Sequence, residues 1–223
     1  MTTAIIVAAG KSTRMGEGVD KAFLSLVNKP VLAWSLIAFE RAKNVDRIVL
    51  VVRKDQLVAS KAVAKMFGIS KLQAIVAGGV QRQDSVQAGL KAVDPDTRYV
   101  LVHDGARPMV TSEAIDQLAV QVRRAPALTL GRPMVDTVKN CAKAACVTET
   151  VPRDHLWLVQ TPQAFQIKVL REAYAKLDPK KQVTDDCHAV ELNGTPVKIV
   201  ESLKPNFKIT TPEDIALVSA LLK

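Results

Sequence analysis

The feature that most constrains the fold is a continuous apolar run at residues 3–9, TAIIVAA, which closes on Gly10. It shows no polar alternation, so it reads as a strand buried on both faces. Similar short runs recur at 48–52, 74–77, 99–102 and 127–130. Segments of helical periodicity separate them, at 31–42, 56–66, 85–92 and 113–122. This alternation predicts an α/β fold, with a mostly parallel central sheet and helices on both faces. Thr111-Ser112 ahead of Glu113 supplies a helix cap. Thr211-Pro212-Glu213-Asp214 opens a last helix expected to reach about Leu222.

From 133 to 162 the rhythm breaks. Residues 135–140 and 146–150 read as two short strands around a polar turn, a hairpin-like β-arm that protrudes from the core. The arm has too few apolar residues for a core of its own. Residues 1–223 therefore read as a single domain with an arm insertion at about 133–162, and the arm suits packing on another subunit.

A chain of 223 residues buries roughly 70% of its unfolded surface and needs no disulfide or metal staple. Three cysteines make no disulfide framework and fit a reducing compartment. No apolar run approaches the ~18 residues of a membrane span. No basic stretch precedes the first apolar run, so a secretion signal is not expected. Together these predict a cytoplasmic globular protein with no membrane partner. Lys and Arg number 31 against 22 Asp and Glu, a net charge of +9. That charge suits nucleic acid, an anionic surface or small phosphorylated substrates. The basic residues are scattered, the longest groups being Arg123-Arg124 and Lys180-Lys181, and aromatics are only 4%. A nucleic-acid reader concentrates its charge and adds stacking aromatics, so no nucleic-acid partner is expected.

Three motifs follow predicted strands. AAGKSTRMG at 8–16 is a small-residue basic loop at a strand's carboxyl end, where doubly wound folds bind ligands. Its freed backbone N–H groups suit phosphate oxygens, with Lys11, Arg14 and Lys21 adding formal charge. It is neither a P-loop, which needs glycine where Ile5 stands, nor a dinucleotide fingerprint, since no glycine lies between Lys11 and Arg14. A plain connection with solvated lysines explains the loop about equally well in isolation. AGGVQRQDSVQAGL at 77–90 has two glycines that let a flat ligand approach the backbone, and Asp84-Ser85 to cap the helix that follows. LVHDGARP at 101–108 ends a strand on Asp104, and one carboxylate at a strand tip suits a Mg²⁺ ion otherwise held by substrate phosphates. The plainer reading there is a turn with a local Asp104–Arg107 pair, with His103 packed in the strand. Cys141, Cys146 and Cys187 are not grouped as zinc ligands, and no Ser-His-Asp order stands out.

Taken in order, AAGxxxRMG, the lysine six residues after Met15, AGGxxRxDSV, HDxARP, PxxDT and TPQxF resemble the 2-C-methyl-D-erythritol 4-phosphate cytidylyltransferase family, from about Ala4 to Asp214. The resemblance implies a Rossmann-like nucleotidyltransferase fold and a homodimer whose arms reach over the neighbouring active sites. It implies transfer of CMP from CTP to 2-C-methyl-D-erythritol 4-phosphate, giving 4-diphosphocytidyl-2-C-methyl-D-erythritol and pyrophosphate in non-mevalonate isoprenoid biosynthesis, with Mg²⁺ or another divalent cation. By the same resemblance Ala8, Ala9, Gly10, Lys11 and Arg14 bind phosphates, and Gly79 and Ser85 hold cytosine. Asp104 takes the metal beside the nucleotide, and Arg14 and Lys21 stabilise the transition state. Arg107, Thr137, Arg153 and Lys208 lie around the sugar phosphate.

Three segments depart from the family pattern. Asp20-Lys21-Ala22 stands for Pro-Lys-Gln, HDGARP for HDAARP, and TDDCHA for TDEASA. The last sets Asp186, Cys187 and His188 in a segment expected near the substrate side. It bears most on the acceptor, for which ribitol 5-phosphate is the alternative.

Overall fold

In the computed structural model, which describes residues 1–10, 13–15, 20–178 and 181–222, the apolar runs form the central sheet. In chain order the elements are β1 (Thr2–Ala8), β2 (Ser25–Leu26), β3 (Lys29–Pro30), α1 (Val31–Arg41), β4 (Arg47–Val52), α2 (Leu57–Met66), β5 (Leu72–Ala77), α3 (Arg82–Ala92) and β6 (Tyr99–Asp104). Then come α4 (Ser112–Gln121), β7 (Ala127–Pro133), β8 (Val138–Cys141), β9 (Val147–Val151), β10 (Trp157–Gln166), α5 (Ile167–Lys176), α6 (Asp186–Leu192), β11 (Lys198–Glu201) and α7 (Pro212–Leu221). The seven-stranded sheet runs β11-β7-β10-β6-β1-β4-β5, parallel except for β10, which lies antiparallel between β6 and β7.

The strands lack alternation because both faces are covered. Ala4, Ile6, Ile48, Leu50 and Leu101 face one layer with Leu36 and Phe39 of α1 and Ile115 and Leu118 of α4. Ile5, Val49, Val51, Val100 and Val102 face the other, with Val86 of α3, Leu170 of α5 and Val190 of α6. The period of two is present, but both phases are apolar.

Helix α3 lies close enough to the sheet for Gly89 to be required. A Cβ there would stand 2.5 Å from Ile5 Cγ2 and 3.1 Å from Val51 Cγ2, both on fully buried residues. Gly89→Ala gains up to about 1 kcal/mol of helix propensity but overpacks at a cost of about 1–3 kcal/mol. We expect a lower melting temperature by thermal unfolding; an unchanged or higher one contradicts this packing.

The arm is shorter than the sequence pattern implied. Strands β8 and β9 form the hairpin, but residues from Trp157 onward belong to β10 and pair with β7 and β6 of the central sheet. Pro162 and the register shift between Val159 and Gln163 break the apolar pattern, which hides β10 in the sequence. The cap of α3 also differs. The helix starts at Arg82, with Gln81 as N-cap and Asp84 inside the first turn, where its Oδ2 accepts from the Gln81 N–H at 3.0 Å. Thr111 and Thr211 cap α4 and α7 as expected.

Candidate active site

Chain order reverses across the sheet at β1, which has β4 on one side and β6 on the other. Parallel strands leave a crevice at such a point, beyond their carboxyl ends. A cleft of about 310 Å³ lies there, with Ala8, Ala9 and Gly10 on one wall, Gly79 and Ser85 on a second, and Asp104 at its base. Arg14, Lys21, Arg82 and Lys208 line it with positive charge, against Asp20 and Asp104.

The glycine wall follows from steric need. A Cβ on Gly78 would meet Ala9 Cβ at 2.4 Å and Ser85 Oγ at 2.6 Å, and one on Gly79 would meet Asp84 Cβ at 2.3 Å. Only glycine permits this approach of the β5–α3 loop to β1. Ser85 is buried; its Oγ accepts from the Gly79 N–H and donates to the Gln81 carbonyl, each at 3.2 Å. Its hydroxyl therefore shapes the loop.

Asp104 is the electrostatic centre. Its carboxylate meets Arg82 Nε at 3.1 Å, Lys208 Nζ at 2.7 Å and Arg107 Nε at 3.9 Å. Burial pushes its pKa up, but Arg82, Lys208 and Arg107 outweigh burial and hold it well below the usual carboxylate range. Its N–H donates to Thr161 Oγ1 at 3.0 Å. Lys208 arrives because the 206–209 segment is tied to the strand-end turn. The Ile209 N–H donates to the Ala106 carbonyl at 2.8 Å, and Arg107 Nη1 to the Asn206 carbonyl at 2.8 Å. Lys21 Nζ donates to the Ile209 carbonyl at 3.0 Å. Burial, and then Lys208, lower its pKa from 10.5. Arg82 lies inside the 77–90 motif, where the sequence assigns it no role. It bridges Asp104 and Asp186, the latter at 2.8 Å from Nη1.

His103 is a packed residue. Burial pushes it down to about 3, and its ring sits 5.1 Å from that of Phe39. Its ring is therefore uncharged at neutral pH.

Among the described residues no three His, Cys, Asp or Glu side chains converge as metal ligands. Asp104, ionised and open to the cleft, fits the one protein ligand of a hard cation held mainly by substrate oxygens.

The structure thus brings together Ala8, Ala9, Gly10, Arg14, Lys21, Gly79, Ser85, Asp104 and Lys208. Lys11 lies outside the described residues. Arg107 flanks Asp104 but lines an adjoining basic cleft of about 450 Å³ with Arg132, Lys204 and Lys208. Thr137 and Arg153 stand exposed on the arm and line neither cleft; Arg153 donates to the Val135 carbonyl. The TDDCHA segment differs from expectation. Asp186 and Cys187 are buried behind the cleft and line neither of the two, while His188 Nδ1 pairs with Thr184.

A sequence model described as 2-C-methyl-D-erythritol 4-phosphate cytidylyltransferase matches residues 2–223. Proteins of that name from Alkaliphilus oremlandii and Pelotomaculum thermopropionicum are 40% and 43% identical. Those matches cover 100% and 99% of this chain and 95% and 93% of the relatives. The crystal structure of 4-diphosphocytidyl-2C-methyl-D-erythritol synthase from Anaerococcus prevotii superposes with a TM-score of 0.88 at 34% identity, covering 99% of this chain and 95% of that one.

Proposed function

The chain belongs to the 2-C-methyl-D-erythritol 4-phosphate cytidylyltransferase family, and on that premise we propose how its cleft works. It transfers CMP from CTP to 2-C-methyl-D-erythritol 4-phosphate in isoprenoid biosynthesis, giving 4-diphosphocytidyl-2-C-methyl-D-erythritol and pyrophosphate. The observation that carries the mechanism is the gathering of Arg14, Lys21, Arg82 and Lys208 on one cleft of about 310 Å³ that no described histidine lines.

The backbone of residues 8–10 and the Arg14 side chain hold the CTP phosphates, and the loop that Ser85 shapes at Gly79 holds the cytosine. An anionic oxygen of the acceptor phosphate forms a bond to the α-phosphorus while the bond from that phosphorus to the bridging oxygen breaks and pyrophosphate leaves. The nucleophile is already charged at neutral pH, so no residue need take a proton. Arg14 and Lys21 stabilise the charge that gathers on the α-phosphoryl oxygens. Mg²⁺, held by Asp104 and the phosphates, supplies further neutralisation when bound. Lys208 and Arg107 face the acceptor phosphate.

Thr137 and Arg153 complete a partner's site in a homodimer. In support, the arm carries exposed Val135 and Val147, and neither polar residue lines either of the two clefts described. Lys208→Ala and Arg153→Ala chains, each inactive alone, should regain about a quarter of the wild-type sites when mixed and allowed to exchange. No recovery in a sample shown to contain mixed dimers contradicts the shared site. The free cysteines fit a cytoplasmic setting. No helix among the described residues is long and apolar enough to cross a membrane.

The acceptor is tested by pyrophosphate release from CTP and Mg²⁺, offering methylerythritol phosphate and ribitol 5-phosphate separately. Release with the first alone is expected, and the named relatives do not favour the second. Release with ribitol phosphate alone overturns the acceptor and leaves the nucleotide half standing.

A further inference from the structure

Asp186 is the one fully buried carboxylate of the described residues, and it touches no cleft. A buried charge costs stability unless it is paired and hydrogen-bonded, so its partners show its use. Oδ2 lies 2.8 Å from Arg82 Nη1, and Oδ1 accepts from the Tyr174 hydroxyl at 2.6 Å. The start of α6 is fixed from β10, where Gln163 Oε1 accepts from the Asp186 and Cys187 N–H groups at 3.1 and 3.2 Å. Gln163 Nε2 donates to Asp185 at 2.8 Å. Asp186 therefore sits on a rigid shelf.

The consequence falls on Arg82. A guanidinium beside a single carboxylate takes it bidentately, through two parallel N–H groups. Here Arg82 donates only its Nε to Asp104, and its Nη1 forms an ion pair 2.8 Å from Asp186 Oδ2, while neither Nη2 nor Asp186 Oδ2 has a hydrogen-bond partner. The second carboxylate draws Nη1 away, so Asp104 Oδ1 meets the guanidinium through Nε alone, while its Oδ2 meets the exposed Lys208 side chain at 2.7 Å.

We propose that Asp186 is a positioning residue for cytidylyl transfer: through Arg82 it keeps Asp104 from a bidentate guanidinium pair, so that the exposed Lys208 is the contact that yields when Asp104 takes a divalent cation. The proposal rests on the role given to Asp104 above. Tyr174 belongs to the same device, because its hydroxyl fixes the Asp186 oxygen that Arg82 does not use.

The test compares Asp186→Asn, Asp186→Glu and Tyr174→Phe in the full-length enzyme. It measures kcat, KM for CTP, and Mn²⁺ affinity in the presence of CTP by electron paramagnetic resonance. Asp186→Asn keeps size and removes charge. It should weaken Mn²⁺ and lower kcat by about ten- to a hundredfold, with KM for CTP moving less than about threefold. Asp186→Glu should recover most of both losses. Tyr174→Phe leaves the ion pair and should lower kcat by about two- to fivefold; it also carries the test if Asp186→Asn does not fold. A merely structural role would lower the melting temperature while leaving Mn²⁺ affinity and kcat of the folded fraction unchanged, and that result overturns the proposal. So does Tyr174→Phe with wild-type kcat and Mn²⁺ affinity if Asp186→Asn proves insoluble. Asp104→Asn separates the two levels. Full activity in that variant removes Asp104 from the reaction, whereas its loss beside an unaffected Asp186→Asn removes only the positioning.

Discussion

Replacing Lys21 with alanine should lower the single-turnover rate of CMP transfer by about 10²–10³-fold, the usual cost of losing one pre-aimed donor to developing charge. CTP affinity should change much less, because Arg14 and the backbone of residues 8–10 remain in the cleft. Lys21 is half-buried, and burial together with Lys208 lowers its pKa from 10.5. The folded protein thus disfavours the very charge that the reaction uses, so Lys21→Ala should lose little or no thermal stability. The protonated form is the active one. Turnover should therefore fall as pH rises through a value below that of an ordinary lysine, and Lys21→Arg should lose that alkaline limb because its charge persists. Rapid-quench measurement of the rate with calorimetric CTP binding checks the split. Equal losses in affinity and rate would make Lys21 a ground-state anchor.

The second large effect is expected at Arg82, and it falls on both stability and activity. Arg82→Ala leaves the fully buried Asp186 carboxylate with the Tyr174 hydroxyl as its side-chain partner. Breaking one side of a buried pair costs about 3–5 kcal/mol. For a chain of this length that lowers the melting temperature on the order of 10 °C. Activity of the remaining folded protein should fall as well, because Asp104 loses the side chain that orients its Oδ1. Arg82→Lys should rescue little, since an ammonium does not reach two carboxylates through the fixed fork of a guanidinium. Differential scanning calorimetry together with pyrophosphate release decides it. A melting temperature within a few degrees of wild type would show that Asp186 is not held by this pair.

What the sequence disclosed follows from which signals are local. The run ending at Gly10 identifies β1 and its loop because burial on both faces and the glycine punctuation lie within ten residues of one another. The alternation of strands and helices extends this to the sheet. Strand β10 escaped because Thr161, Pro162 and Gln163 interrupt an apolar pattern in a strand that the fold nevertheless pairs on both edges. Arg82 escaped for another reason. One arginine in the first turn of a helix looks like any solvated charge, and only the approach of Asp104 and Asp186 in space distinguishes it. The adjacent acids Asp185 and Asp186 carry no local sign of which one is buried, yet Asp186 turns inward to meet Arg82 and Tyr174. Lys208 and Arg107 came from family likeness. The bonds of Ile209 to Ala106 and of Arg107 to Asn206 give the physical reason they meet at Asp104.

On the proposed mechanism, fixed positive charge drives the reaction without proton transfer. This is tested most directly by the solvent deuterium isotope effect on the single-turnover rate, measured on the pH-independent plateau so that product release does not mask chemistry. With an anionic nucleophile that carries no proton to give up and a neutral buried His103, the predicted effect is about 1. A value of about 2 or more would mean that a proton moves in the transition state, and this account of the site would be wrong.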